Sequence, residues 1–143
     1  MEENLPVLLV EDQPDQASLV REALKEASDF NLLQVLSSGE EAIAYLAGEG
    51  RFADRATYPF PFLMLLDLNM PGIGGFGVLR WLQTRPDVNE KLHTVVLSSV
   101  QSSKEIELAG ELGAKHFWVK SDWMLLCQKI RDLRASLNDE DLW

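Results

Sequence analysis

Phe62-Leu63-Met64-Leu65-Leu66-Asp67 is the stretch on which the fold turns: five apolar residues stop abruptly at a carboxylate. An apolar run without alternation reads as a strand buried on both faces, the kind found in a parallel sheet covered by helices. Working outward, the same pattern recurs. Val7-Leu8-Leu9-Val10 stops at Glu11 and Asp12, and Leu32 to Leu36 is a second run. Thr94-Val95-Val96-Leu97 stops at Ser98, and Phe117-Trp118-Val119 stops at Lys120.

Each run is followed by residues with helical periodicity. Asp12 and Pro14 open the first helix, with a carboxylate near the cap and proline in the first turn, and Val20, Ala23, Leu24 and Ala27 form its apolar stripe. Ser38-Gly39-Glu40-Glu41 opens a second helix carrying Ala42, Ile43 and Leu46. Gly48 to Pro61 is polar and reads as a loop. The turn-rich Asn69-Met70-Pro71-Gly72-Ile73-Gly74-Gly75 leads to a third helix with Val78, Leu79 and Leu82. A fourth helix spans roughly Ser103 to Leu112 and ends at Gly113, where a C-terminal cap favours glycine. The last carries Leu126, Ile130, Leu133 and Leu137. Five buried strands alternating with amphipathic helices predict a three-layer α/β sandwich around a doubly wound parallel sheet, since five units are too few for an eight-stranded barrel. The 143 residues are expected to form one domain, with a core over about 5–137 and a tail over 138–143 that frays, although its Leu142 and Trp143 could dock.

Composition narrows the function. Asp and Glu number 23 against 13 Lys and Arg, a net charge of −10. Such a surface repels phosphate backbones and anionic lipid, so neither nucleic acid nor membrane is an expected partner. The start lacks the pattern of a signal peptide and no stretch approaches membrane-spanning length, so the expected location is cytoplasmic. The single cysteine, Cys127, falls in the apolar pattern of the last helix and reads as a small core residue.

Glu11, Asp12, Asp67, Ser98 and Lys120 all terminate strands. In a parallel sheet these ends share one edge, where open α/β sheets bind ligands. Strand-end acids are often helix caps, and Asp12 before Pro14 can be read that way. Four polar ends out of five, with complementary charges, are better explained by a site. Carboxylates meeting there repel by about 4 kcal/mol per adjacent pair at an effective dielectric of about 20, so the cluster needs a neutralising partner. An all-oxygen donor set suits Mg²⁺, and Lys120 adds a mobile positive charge. A carboxylate nucleophile, a cation, a lysine and a hydroxyl are what phosphoryl transfer to an aspartate requires. Charge gained at Asp67 could draw Ser98 inward and vacate space for Phe117, giving a two-state element.

The strings Val7-Leu8-Leu9-Val10-Glu11-Asp12, Leu65-Leu66-Asp67-Leu68-Asn69-Met70-Pro71-Gly72, Val95-Val96-Leu97-Ser98-Ser99 and Trp118-Val119-Lys120 resemble, in this order, the receiver domains of two-component response regulators. The resemblance covers essentially the whole chain. It implies a flavodoxin-like strand order 2-1-3-4-5. It also implies that Asp67 takes a phosphoryl group from a sensor histidine kinase or histidine phosphotransfer protein. Glu11, Asp12 and Asp67 would organise Mg²⁺ together with the Asn69 backbone carbonyl, Ser98 and Lys120 would contact the phosphoryl group, and Phe117 would be the rotating aromatic. Such a protein is a switch acting on a downstream protein target rather than an enzyme. The long Gly48–Pro61 and Arg85–His93 connections look like stand-alone receivers paired with bacterial phytochromes.

Two departures stand out. Ser121 follows Lys120 where the family usually has proline, and a cis bond there would cost about 2.5–4 kcal/mol, so a trans peptide and a displaced Lys120 are expected. Gly74 stands where Asp or Asn is common, which would loosen the loop. Ser121 is also the one feature favouring a degenerate receiver, an interaction or dimerisation module independent of phosphorylation. A small-molecule aspartyl phosphatase would want an Asp where Asn69 stands. His93 and His116 read as structural or exposed, and Trp81 as packing on the third helix. Trp118 and Trp123 read as buried aromatics or as part of a partner face on the fourth helix, fifth strand and fifth helix. Ile106, Leu108, Ala109 and Leu112 would add to that face, which could support a homodimer.

Overall fold

The computed structural model describes residues 4–27, 30–99, 102–120 and 123–140. In chain order they form β1 (Leu5–Val10), α1 (Pro14–Ala27), β2 (Phe30–Leu36), α2 (Gly39–Ala47), a 3-10 turn (Gly50–Phe52) and β3 (Leu63–Asp67). Then follow α3 (Gly74–Gln83), a single helical turn (Pro86–Asn89), β4 (His93–Ser98), α4 (Ser103–Glu111), β5 (His116–Val119) and α5 (Trp123–Glu140). All strand pairs are parallel, and the order is β2-β1-β3-β4-β5. The order reverses at β1 and β3, and the two runs expected to end in carboxylates are therefore neighbours.

Alternation along the strands divides the core. Leu8, Val10, Met64, Leu66 and Val96 belong to one cluster with Ala42, Tyr45 and Leu46 of α2, Val78, Leu79 and Leu82 of α3, and Ala109 of α4. Val7, Leu9, Leu63, Leu65, Val95, Leu97 and Trp118 belong to the other, with Ala17, Val20, Ala23 and Leu24 of α1 and Leu126, Cys127, Ile130 and Leu133 of α5. The uninterrupted apolar runs are thus explained: neighbouring side chains serve opposite layers, and both are apolar. Cys127 is buried, as its surroundings predicted.

Some boundaries move. β2 begins at Phe30 and β4 spans His93–Ser98, both longer than the apolar runs alone. Phe62 lies just outside β3, yet its N–H donates to Pro6 and its carbonyl accepts from His93 at 2.9 and 2.8 Å, so it continues the ladder. The Arg85–His93 connection contains a helical turn, started by Pro86 at a position that needs no N–H and anchored by buried Val88. Helix α5 runs to Glu140, past the point where the tail was expected to begin. Leu142 and Trp143 lie outside the described residues.

The Gly48–Pro61 segment is a loop that sends aromatic rings into the core beneath α2 and α3. Tyr45 and Phe52 are fully buried, and their rings stand 4.9 Å apart with Tyr58 edge-on to both. Gly48 ends α2 at φ +69, the left-handed conformation that glycine adopts freely. Arg55 reaches back under this cap. Its Nη1 donates to Tyr45 and Tyr58 carbonyls at 2.8 and 3.2 Å, and its Nη2 to the Leu46 carbonyl at 2.9 Å. One guanidinium therefore satisfies helix-end carbonyls and the loop together, which a lysine cannot span. Arg55→Ala should lower the unfolding free energy by about 2 kcal/mol, as for lost charged hydrogen bonds, in a urea titration. Arg55→Lys should recover less than half of that loss.

Candidate functional site

Four strands deliver polar groups to the carboxyl edge of the sheet. Glu11 follows β1, where its N–H donates to the Leu36 carbonyl at 2.8 Å and extends the β1–β2 ladder by one bond. Asp67 is the last residue of β3, and Ser98 the last of β4. Lys120 follows β5, with its N–H on the Ser98 carbonyl at 2.8 Å. Burial is severe for such groups: Glu11 and Asp67 are each 2% exposed and Ser98 is fully buried. Sheet geometry thus brings into one pocket residues separated by up to 109 positions in the chain.

Among the described residues, Lys120 is the cation that meets the carboxylates of the pocket. Lys120 Nζ lies 2.7 Å from Glu11 Oε1 and 3.4 Å from Asp67 Oδ1. Glu11 Oε2 accepts the Gln13 N–H at 3.3 Å, and Asp67 Oδ1 accepts the Asn69 N–H at 3.3 Å. Glu11, Asp12 and Asp67 each place a carboxylate oxygen within 4.8 Å of the others, the only such acidic, histidine or cysteine group among the described residues. One ammonium faces three carboxylates. Burial therefore pushes the Asp67 carboxyl up to about 6, with Lys120 pulling it down and Glu11 pushing it further up.

Asp12 decides between a helix cap and a ligand. The first carbonyl of α1 to accept a helical hydrogen bond is that of Gln13, from the Ala17 N–H at 2.9 Å. Asp12 Oδ1 is buried and takes no hydrogen bond among the described residues. A buried carboxylate oxygen without a donor is costly unless a cation meets it. That orphan oxygen and the all-oxygen donor set fit a hard divalent ion better than they fit a cap.

The strand register fixes the remaining groups. Val96 pairs with Phe117 and Ser98 with Val119, so Ser98 and Phe117 lie on the same face of the sheet, one diagonal apart. Phe117 is half-buried against the α2–α4 core, while Trp118 is buried in the α1–α5 core. The buried-aromatic reading therefore holds for Trp118. Ser121 lies outside the described residues, and with it the Lys120–Ser121 peptide and its expected trans form; the Trp123 side chain is also outside. Of the α4 stripe, Ile106 is exposed and Ala109 is buried.

Two contributors were not legible in the sequence. The Gln13 N–H is a backbone donor and carries no residue signature. Gly75 is needed for space: a methyl carbon there would lie 2.5 Å from the Asp67 carbonyl oxygen and 2.8 Å from Leu68 Cα. The start of α3 can rest directly on the end of β3 only with glycine at that position. The histidines stay away from the site. Phe62, His93, His116 and Trp118 form a ring ladder with centroid spacings of 6.3, 5.3 and 6.2 Å, near the amino end of the sheet.

Comparison with known proteins agrees with this geometry. Residues 7–131 match the family described as response regulator receiver domain. The response regulator Rcp1 of Synechocystis is 34% identical over 115 residues, 80% of this chain and 76% of Rcp1. Its Mn²⁺-bound crystal structure superposes with a TM-score of 0.78 at 30% identity, over 92% of each chain. Response regulator RPA3017, from red light signalling of R. palustris, gives 0.82 at 34% identity over 90% of each chain. The phosphorylated cyanobacterial phytochrome response regulator RcpA gives 0.79 at 29% identity over 91% of each. With the sheet order, the acidic pocket and these relatives in agreement, the chain belongs to the response regulator receiver family of two-component signalling.

Proposed function

We propose that this receiver is a phosphorylation switch in which Asp67 accepts a phosphoryl group from a histidine kinase or a histidine phosphotransfer protein. The observation that carries the reading is the orphan Asp12 oxygen beside Glu11 and Asp67, in a pocket where a single lysine faces three acids. Relatives support it, since one is known in a phosphorylated form and another in a Mn²⁺-bound form. A phytochrome is the kind of sensor these relatives point to for the donor.

The chemistry follows from the groups present. A carboxylate oxygen of Asp67 forms a bond to phosphorus while the bond from phosphorus to the donor imidazole nitrogen breaks, and the imidazole leaves with that electron pair. Glu11, Asp12, Asp67 and the Asn69 backbone carbonyl would hold Mg²⁺, which supplies charge neutralisation for the transferred oxygens. Lys120 is already 3.4 Å from Asp67 Oδ1 and can follow a phosphoryl oxygen. The Ser98 hydroxyl can donate to another. Drawn toward the phosphoryl group, Ser98 leaves room on its own face of the sheet, and Phe117 is the aromatic placed to fill it. That rearrangement alters the surface near α4 and β5 and passes the signal to a protein target by contact.

Incubation with acetyl phosphate and MgCl₂ should give a base-labile acyl phosphate, an increase of one phosphoryl group by intact-protein mass spectrometry. Asp67→Asn should abolish it. A wild-type chain that stays unmodified while folded and metal-loaded would leave the phosphorylation-independent reading instead.

The pocket also sets a pH dependence. The Asp67 carboxyl titrates near 6 in the folded chain against 3.8 as a free side chain. Between these values the folded state holds a proton that the unfolded chain has released, so stability falls as pH rises through that window. In metal-free buffer, Asp67→Asn should therefore be more stable than wild type above pH 6, by at most about 3 kcal/mol, and lose the advantage below about pH 4. Thermal unfolding at several pH values checks this. Added MgCl₂ should raise the wild-type melting temperature and affect Asp67→Asn less.

A further inference from the structure

We propose that Ile73 is a positioning residue for the phosphoacceptor site, a peg seated between two glycines that holds the loop bearing Asn69. The inference rests on the metal reading given above.

Ile73 immediately precedes α3 and is 42% exposed, which makes it an unlikely anchor at first sight. Its contacts say otherwise. A methyl carbon on Gly39, the first residue of α2, would lie 2.7 Å from Ile73 Cγ1 and 2.8 Å from the Gly74 carbonyl oxygen. A methyl carbon on Gly77, within α3, would lie 2.6 Å from Ile73 Cβ and 3.0 Å from its Cγ1. Neither glycine has a positive φ, so backbone conformation does not require them. Gly77 moreover sits inside a helix, where glycine is unfavourable. What both supply is room for one side chain.

The consequence concerns residues 68–73. At one end, Gly75 allows α3 to rest on the Asp67 carbonyl, and its N–H donates to the Leu68 carbonyl at 3.2 Å. At the other end, Ile73 fills the gap between α2 and α3, and its carbonyl accepts the Gly77 N–H at 3.1 Å. Asn69 lies between these pins, exposed, with its N–H on Asp67 Oδ1. Fixing both ends fixes the direction of its carbonyl. Side chains locked by packing are what keep a ligand group within a fraction of an ångström of its working position.

The test reads loop and metal separately. Deuterium exchange over residues 68–73 reports the loop, and titration with MnCl₂ reports the site. Ile73→Ala should speed exchange in this segment and weaken Mn²⁺ binding by about tenfold, in the range found for supporting residues of metal sites. Gly77→Ala should do the same by pushing the peg out of its seat. Val88→Ala, remote and buried, should lower the melting temperature and leave Mn²⁺ affinity unchanged. Unchanged exchange or unchanged affinity in a cooperatively folding Ile73→Ala variant overturns the proposal. So does an equal loss of affinity in Val88→Ala. Faster exchange in Ile73→Ala combined with no Mn²⁺ binding by wild type would sink the metal reading itself, and the positioning role with it.

Discussion

One ammonium among three carboxylates sets the terms for this molecule. Lys120 lies 2.7 Å from Glu11 and 3.4 Å from Asp67, both of them buried carboxylates. The Coulomb energy of that arrangement is balanced neither by solvent nor by a second base. Burial, with Glu11 adding to it against the pull of Lys120, raises the Asp67 carboxyl, and among the described residues no donor meets the buried Asp12 oxygen. A site left with surplus negative charge has a standing preference for cations, and the proposed phosphoryl transfer to Asp67 rests on that preference.

The sheet makes this possible by separating two jobs. Its interior is apolar on both faces, so the core is built without the polar groups of the edge. Its carboxyl edge then gathers groups from β1, β3, β4 and β5 at the place where strand order reverses. The loop after β3 is held by contacts that only glycine permits, at Gly39, Gly75 and Gly77. Elsewhere the chain spends arginine for a similar purpose, with Arg55 joining the end of α2 to the long loop beyond it.

Much of this was legible in the sequence because it rests on side-chain type. The run Leu63–Leu66 is buried, the five strand ends are where the apolar runs stop, and the acidic cluster comes together as the topology requires. Boundaries were less legible where backbone bonding, not hydrophobicity, decides them: His93 enters β4, Asn31 enters β2 although exposed, and α5 continues over polar residues to Glu140. The helical turn at Pro86–Asn89 was hidden because four residues cannot show a period. The Gln13 N–H has no signature in sequence. The peg at Ile73 was concealed by distance, since Gly39 lies on another helix and nothing in a linear reading joins the two.

Adjacent aromatics on β5 carry a last implication. Phe117 packs toward α2–α4 and Trp118 toward α1–α5, and β5 is only four residues long at the rim of the sheet. Motion of the first ring need not disturb the second, because the backbone between them acts as a partition. If Phe117 moves as proposed, one flank can then stay constant while the other changes, much as a wall lets two rooms be furnished independently.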